Sequence, residues 1–185
     1  MAVRSFVAIF PPRGIQEALH RSARGLPIEG AIRQVRPENI HLTIKFLGDV
    51  QPESLPHIGE ALAAVCERHG PFHIDLSGFG AFPSERRGRI LWAGVDGGSA
   101  RLISLSEDVE KTLEPLDFER EPRAFRPHLT LGRARGRSFV LGEAATAERL
   151  AFRAERLTLV QSVLREDGAR YEPIGDYPLG GTKPG

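Results

Sequence analysis

A chain of 185 residues with 41% hydrophobic content is large enough for one generous domain or two small lobes sharing a core, and too apolar for disorder throughout. A net charge of +1 gives no global attraction to nucleic acid, and a single cysteine excludes a disulfide within the chain. No apolar run approaches the ~18 residues of a spanning helix, so a soluble, cytoplasmic protein without a membrane partner is expected.

In chain order, "RSFVAIF" (residues 4–10) has the aromatic and β-branched content of a strand, and "PPRG" punctuates it. "IQEALHRSARGL" repeats apolar residues at spacings of four and predicts an amphipathic helix. "IHLTIKFLGDV" predicts the next strand, closed by Gly48. "PESLPHIGEALAAVCERHG" predicts a helix stopped by Gly70, with Pro56 in or before its first turn. Cys66 falls among Ala61, Leu62 and Val65 and reads as a buried structural thiol, since no activating base is near it in sequence.

"FHIDLSGFGAF" and "GRILWAGVDG" predict two strands joined through the polar "PSERRGR". A helix over "SARLISLSEDVEKTLEPL" carries Leu102, Leu105, Val109 and Leu113 on one stripe. "FRPHLTLGRA" predicts a further strand, and "AERLTLVQSVLRE" with "RYEPIGDYPL" a closing antiparallel hairpin. Residues 181–185, "GTKPG", read as a frayed tail beyond a single domain over 1–180.

Phe6 precedes His41 by 35 residues and Trp92 precedes His128 by 36, with a predicted helix between them both times. The period of 87 residues is too long for a solenoid and points to duplication of half a domain, giving two like halves across a cleft. Each half carries the motif His-x-Thr, in "HLTIKFLG" and "HLTLGR". Strand alternation sets His41, Thr43 and Lys45 on one face, opposite Leu42, Ile44 and Phe46, and sets His128 with Thr130 opposite Leu129 and Leu131. The same parity places Arg133 away from His128 unless a bulge, twist or strand end intervenes near Gly132.

Two imidazoles and two hydroxyls in one cleft suit a phosphodiester reaction in which one oxygen loses a proton while another gains one. His20, His57, His69 and His73 lack such a repeat and read as satisfied or surface histidines. A metal pair is the rival reading, but no third ligand with zinc spacing accompanies either motif. Of the 25 basic residues 22 are arginine, dense over 84–90 and 120–137, where RNA contacts flanking the cleft are expected.

The paired motifs, with "FVAIF" before and "LTLVQSVL" after them, resemble the two-histidine phosphoesterases and among these the bacterial and archaeal RNA 2′,3′-cyclic phosphodiesterases, historically named 2′-5′ RNA ligases. The resemblance spans nearly the whole chain. It implies a bilobal α+β fold with a pseudo-two-fold, an antiparallel sheet in each lobe and helices outside, and hydrolysis of a terminal 2′,3′-cyclic phosphate to a 2′-phosphate without metal or nucleotide cofactor. His41 would be the general acid, His128 the general base, and Thr43, Thr130 and Arg133 the phosphate-binding residues. Lys45, Phe46 and Arg126 are candidate substrate contacts. The expected partners are RNA ends or small cyclic nucleotides, with the protein a monomer. Reverse ligation, an ADP-ribose cyclic phosphate substrate, a metal hydrolase and a non-catalytic RNA-end binding module stand as alternatives.

Overall fold

A computed structural model describes residues 1–143, 149–165 and 168–180. In chain order its elements are β1 (Val3–Ile9), α1 (Arg13–Arg24), β2 (Ile28–Glu29), β3 (Ile32–Gln34), β4 (Leu42–Val50), α2 (Leu55–Arg68), β5 (Phe72–Phe82), β6 (Ile90–Val95), α3 (Ser99–Leu113), β7 (His128–Ala134), β8 (Val140–Leu141), β9 (Ala151–Ala154), β10 (Arg156–Arg165) and β11 (Gly168–Pro178). The expected strands and three helices all form. The four-residue β9 and the shorter β2, β3 and β8 were not anticipated, because pieces of that length carry too few alternations to register as a period. The proposed tail at 181–185 and most of the segment between β8 and β9 lie outside the described residues.

The chain is α+β, with a large curled antiparallel sheet and three helices. Its strands run β11-β10-β1-β4-β7-β6-β5-β9, with β3 also on β7. The two histidine strands are central neighbours and meet where Leu42 pairs with Leu129. The strands expected as one sheet per lobe thus form one path, joined at that pair.

Alternate residues of the central strands enter the main core: Val7 and Ile9, Leu42 and Ile44, Leu91 and Ala93, Leu129 and Leu131. They pack with Leu19 of α1, Leu62 and Val65 of α2, and Leu102, Leu105 and Val109 of α3, so all three helices cover the same face. Cys66 is buried in this core, which pushes its thiol up to about 11 and suits a structural group. Pro56 sits in the first turn of α2, where its missing N–H costs nothing. At the entry to α3, Gly98 has φ +86, and a Cβ there would meet the His73 carbonyl oxygen at 2.4 Å, so glycine is required. Covering one face with helices leaves the opposite face of the sheet for chemistry.

Candidate active site

On the uncovered face, Phe6, Ala8 and Val160 form a second, smaller apolar cluster with Phe10 and Tyr171 packed against it. His41 stands among these aromatics, its ring 4.9 Å from Phe6, 5.4 Å from Phe10 and 5.1 Å edge-on from Tyr171. His128 packs edge-on against Phe82 at 5.1 Å, and Phe82 in turn lies 5.2 Å from Trp92. The Trp92 ring fits over Gly80, where a Cβ would come within 2.3 Å of it. Sequence reasoning used Phe6 and Trp92 only to mark the repeat and missed Phe10, Phe82 and Tyr171 as the aromatic wall. Their signal was the alternation of each strand, overshadowed by the fact that aromatics on strands usually serve the main core.

The pairing of Leu42 with Leu129 dictates the centre. Both leucines face the core, and one step along the same antiparallel register sets His41 opposite Thr130 and Thr43 opposite His128, all four on the opposite face. Each imidazole is held alike. His41 donates its Nδ1–H to the Asn39 carbonyl at 2.7 Å, and His128 donates its Nδ1–H to the Arg126 carbonyl at 2.7 Å. A carbonyl only accepts, so the proton of the neutral ring is fixed on Nδ1 and Nε2 is left for chemistry. His41 Nε2 lies 2.9 Å from Thr43 Oγ1 and accepts its hydroxyl proton when the ring is neutral. The Asn39 segment is itself anchored: its side-chain amide donates to the Ala169 carbonyl at 2.8 Å, and buried Gln16 of α1 donates to the Ile40 carbonyl at 2.9 Å.

Strict alternation fails in both histidine strands, three residues after each histidine. Opposite Val7 and Ala8, β4 offers Lys45 and then Thr43, so Ile44 is an extra residue. Opposite Leu91 and Trp92, β7 offers Gly132 and then Thr130, so Leu131 is the extra one. Each bulge reverses the parity beyond it. Lys45 is therefore not on the histidine face, as expected, but buried on the helix side. There it forms an ion pair with Glu110 of α3 and donates to the Glu119 carbonyl at 2.7 Å. This removes it as a substrate contact. Phe46 pairs with Phe6 and comes to the histidine face, its ring 6.1 Å from that of Phe6 and 73% exposed. Arg133 pairs with Ile90 and also reaches that face, near enough for its charge to act on His41. Arg126 has an exposed side chain, and its described contact is the carbonyl that holds His128.

Burial lowers the His41 pKa to about 4; the bond to Asn39 opposes this, while the charges of His128 and Arg133 add to it. The free site therefore holds a neutral His41 at pH 7. In the unfolded chain the ring protonates near ~6.5, so between about 6.5 and about 4 the unfolded state binds the extra proton and stability falls as pH falls. The contribution is fully present above pH ~6.5, and roughly 3 kcal/mol is lost by pH ~4. Urea midpoints of the wild type and His41→Gln at pH 7, 5.5 and 4 should converge as the pH drops; parallel curves would refute the assignment.

Among the described residues, no three or more His, Cys, Asp or Glu side chains converge as a metal site requires. His69 pairs with Asp108 at 3.0 Å beside Arg68, joining α2 to α3, and His20 contacts the Val35 carbonyl at 3.0 Å, so both are satisfied as expected.

Residues 9–92 match the family of LigT-like phosphoesterases. The chain is 34% identical over 149 residues to an RNA 2′,3′-cyclic phosphodiesterase of Aeropyrum pernix, covering 77% of this chain and 84% of the relative. It is 30% identical to one of Methanothermobacter thermautotrophicus, covering 97% and 100%. In structure it is similar to E. coli LigT complexed with 3′-AMP, with a TM-score of 0.74, 28% identity and coverage of 97% and 99%.

Proposed function

The chain belongs to the LigT-like phosphoesterase family, and from that membership we propose that it is an RNA 2′,3′-cyclic phosphodiesterase, opening a terminal 2′,3′-cyclic phosphate to a 2′-phosphate. The observation that supports this reading most directly is the convergence of two His–Thr pairs on one face about the Leu42–Leu129 pair, each imidazole with Nδ1–H held by a carbonyl.

The proposed reaction needs only two proton transfers. Water attacks phosphorus while His128 Nε2 takes its proton; the bond to the 3′ oxygen breaks as His41 Nε2 delivers a proton to it. The new P–O bond leaves phosphate on the 2′ oxygen. Thr43, Thr130 and Arg133 hold the non-bridging oxygens, where charge gathers in the transition state. The cyclic phosphate also supplies what the free site lacks: its negative charge offsets Arg133 and favours the imidazolium that the acid step requires. Run backwards, the same groups join a cyclic end to a 5′-hydroxyl.

A second assignment, with His41 as base and His128 as acid, is favoured by the neutral His41 of the free site. We further read the order β11-β10-β1-β4 followed by β7-β6-β5-β9 as a bilobal duplication about the central pair, one domain over 1–180 acting as a cytoplasmic monomer.

The test is incubation of the EDTA-treated protein with a short RNA ending in a 2′,3′-cyclic phosphate, resolving 2′- from 3′-phosphate. A 2′-phosphate formed at undiminished rate is expected. A 3′-phosphate product, or activity that returns only with added divalent metal, overturns the proposal.

A further inference from the structure

Phe82, whose ring packs on His128, is followed directly by Pro83, and Pro83 opens an open-sided trough of about 620 Å³ lined by Ser84, Arg87, Arg89, Arg137 and Ser138. The trough is built from two segments tied by backbone. Gly88 and Phe139 exchange both hydrogen bonds, at 2.8 and 2.9 Å, which brings Arg87 and Arg89 on one side together with Arg137 and Ser138 on the other. Phe139 beneath them is buried, and a Cβ on Gly88 would strike its ring at 2.5 Å, so the close approach depends on that glycine. Among the described residues, none of the three arginines is paired with a carboxylate. Arg120, by contrast, is paired with Glu114 at 2.8 Å. Three exposed guanidinium groups without a carboxylate give the trough a positive charge that an anion can neutralise.

We propose that this trough holds the backbone phosphates of the nucleotides preceding the cyclic end. The inference rests on the cyclic phosphodiesterase reading and extends it outward from His128. A polymer end seated at His128 has further phosphates to place, and the trough begins one residue from the ring that touches that histidine. Arginine forks match phosphate oxygens, and the hydroxyls of Ser84 and Ser138 add neutral donors. No aromatic side chain is among the lining residues, so the preceding bases are not stacked there; contacts confined to phosphate and sugar carry no sequence preference.

The test is a binding titration, which needs no turnover. A labelled single-stranded octanucleotide ending in a 2′-phosphate is titrated with the wild type and with Arg87→Gln/Arg89→Gln/Arg137→Gln, both first shown by circular dichroism to be folded. Expected are a loss of at least about tenfold in affinity in the variant, an equal loss for octamers of different base sequence, and a salt slope shallower by about 0.7 for each phosphate contact removed. Unchanged octamer affinity, as would follow if the arginines serve an acidic protein surface, overturns the proposal. So does an equal loss for a 2′-phosphorylated mononucleotide, which would place the arginines at the terminal phosphate. Failure of the catalytic reading appears separately, as a cyclic end that is bound but not opened.

Discussion

Replacing either His41 or His128 by alanine is expected to lower the turnover of a cyclic-ended RNA by about 10²–10⁴, the usual worth of one well-placed proton transfer. The double variant should be little worse than the more damaged single, because acid and base serve the same displacement and each is of limited use without the other. The two roles separate with a substrate carrying sulfur in place of the 3′ bridging oxygen. A thiolate leaves without a proton, so this substrate rescues the variant that lacks the acid and leaves the variant that lacks the base impaired. Rescue of His41→Ala assigns the acid to His41; rescue of His128→Ala assigns it to His128 and selects the reading that the neutral His41 favours. Full activity of either alanine variant on the natural cyclic end would sink the paired mechanism.

The largest expected loss of stability comes from Lys45, far from the reacting atoms. In Lys45→Met the Glu110 carboxylate, on a side chain only 14% exposed, keeps the Glu121 N–H at 3.3 Å but loses its counter-charge, and the Glu119 carbonyl loses its donor. Removing one member of a buried pair typically costs about 3–5 kcal/mol, chiefly because the remaining charge is stranded. Lys45→Met/Glu110→Leu removes both charges and should recover most of that loss. The urea midpoints of the two variants decide the matter: equal destabilisation in single and double would show that the cost is packing and not the stranded charge. The Glu119 carbonyl held by Lys45 and the Glu121 N–H held by Glu110 both lie on the way to the carbonyl of Arg126. The single variant should therefore also loosen the anchor of His128.

The elements were legible because each long strand and helix carries its own period. The centre of the site was legible because His-x-Thr recurs at a fixed spacing with equivalent elements before it. Parity beyond the threonines was not. An extra residue in a strand leaves no mark in composition: Ile44 and Leu131 are ordinary core-forming side chains, and only the pairing with β1 and β6 shows that each is supernumerary. Plain alternation therefore puts Lys45 on the wrong face, and it turns Phe46 and Arg133 away from the histidines, which the bulges reverse. Glu110 went unnoticed because its partner lies 65 residues away in the chain, and a glutamate on a helix has no local feature that predicts burial against a lysine.

The matched bulges have one more effect. They deliver to the open face the residue five places after each histidine, and those two residues are unlike: a phenyl ring from one strand, a guanidinium from the other. A cleft with identical ends would accept its ligand equally well either way round. Here one end offers a surface for a flat, uncharged ring and the other a fixed positive charge. A single pair of corresponding side chains thus gives an otherwise repetitive site a front and a back.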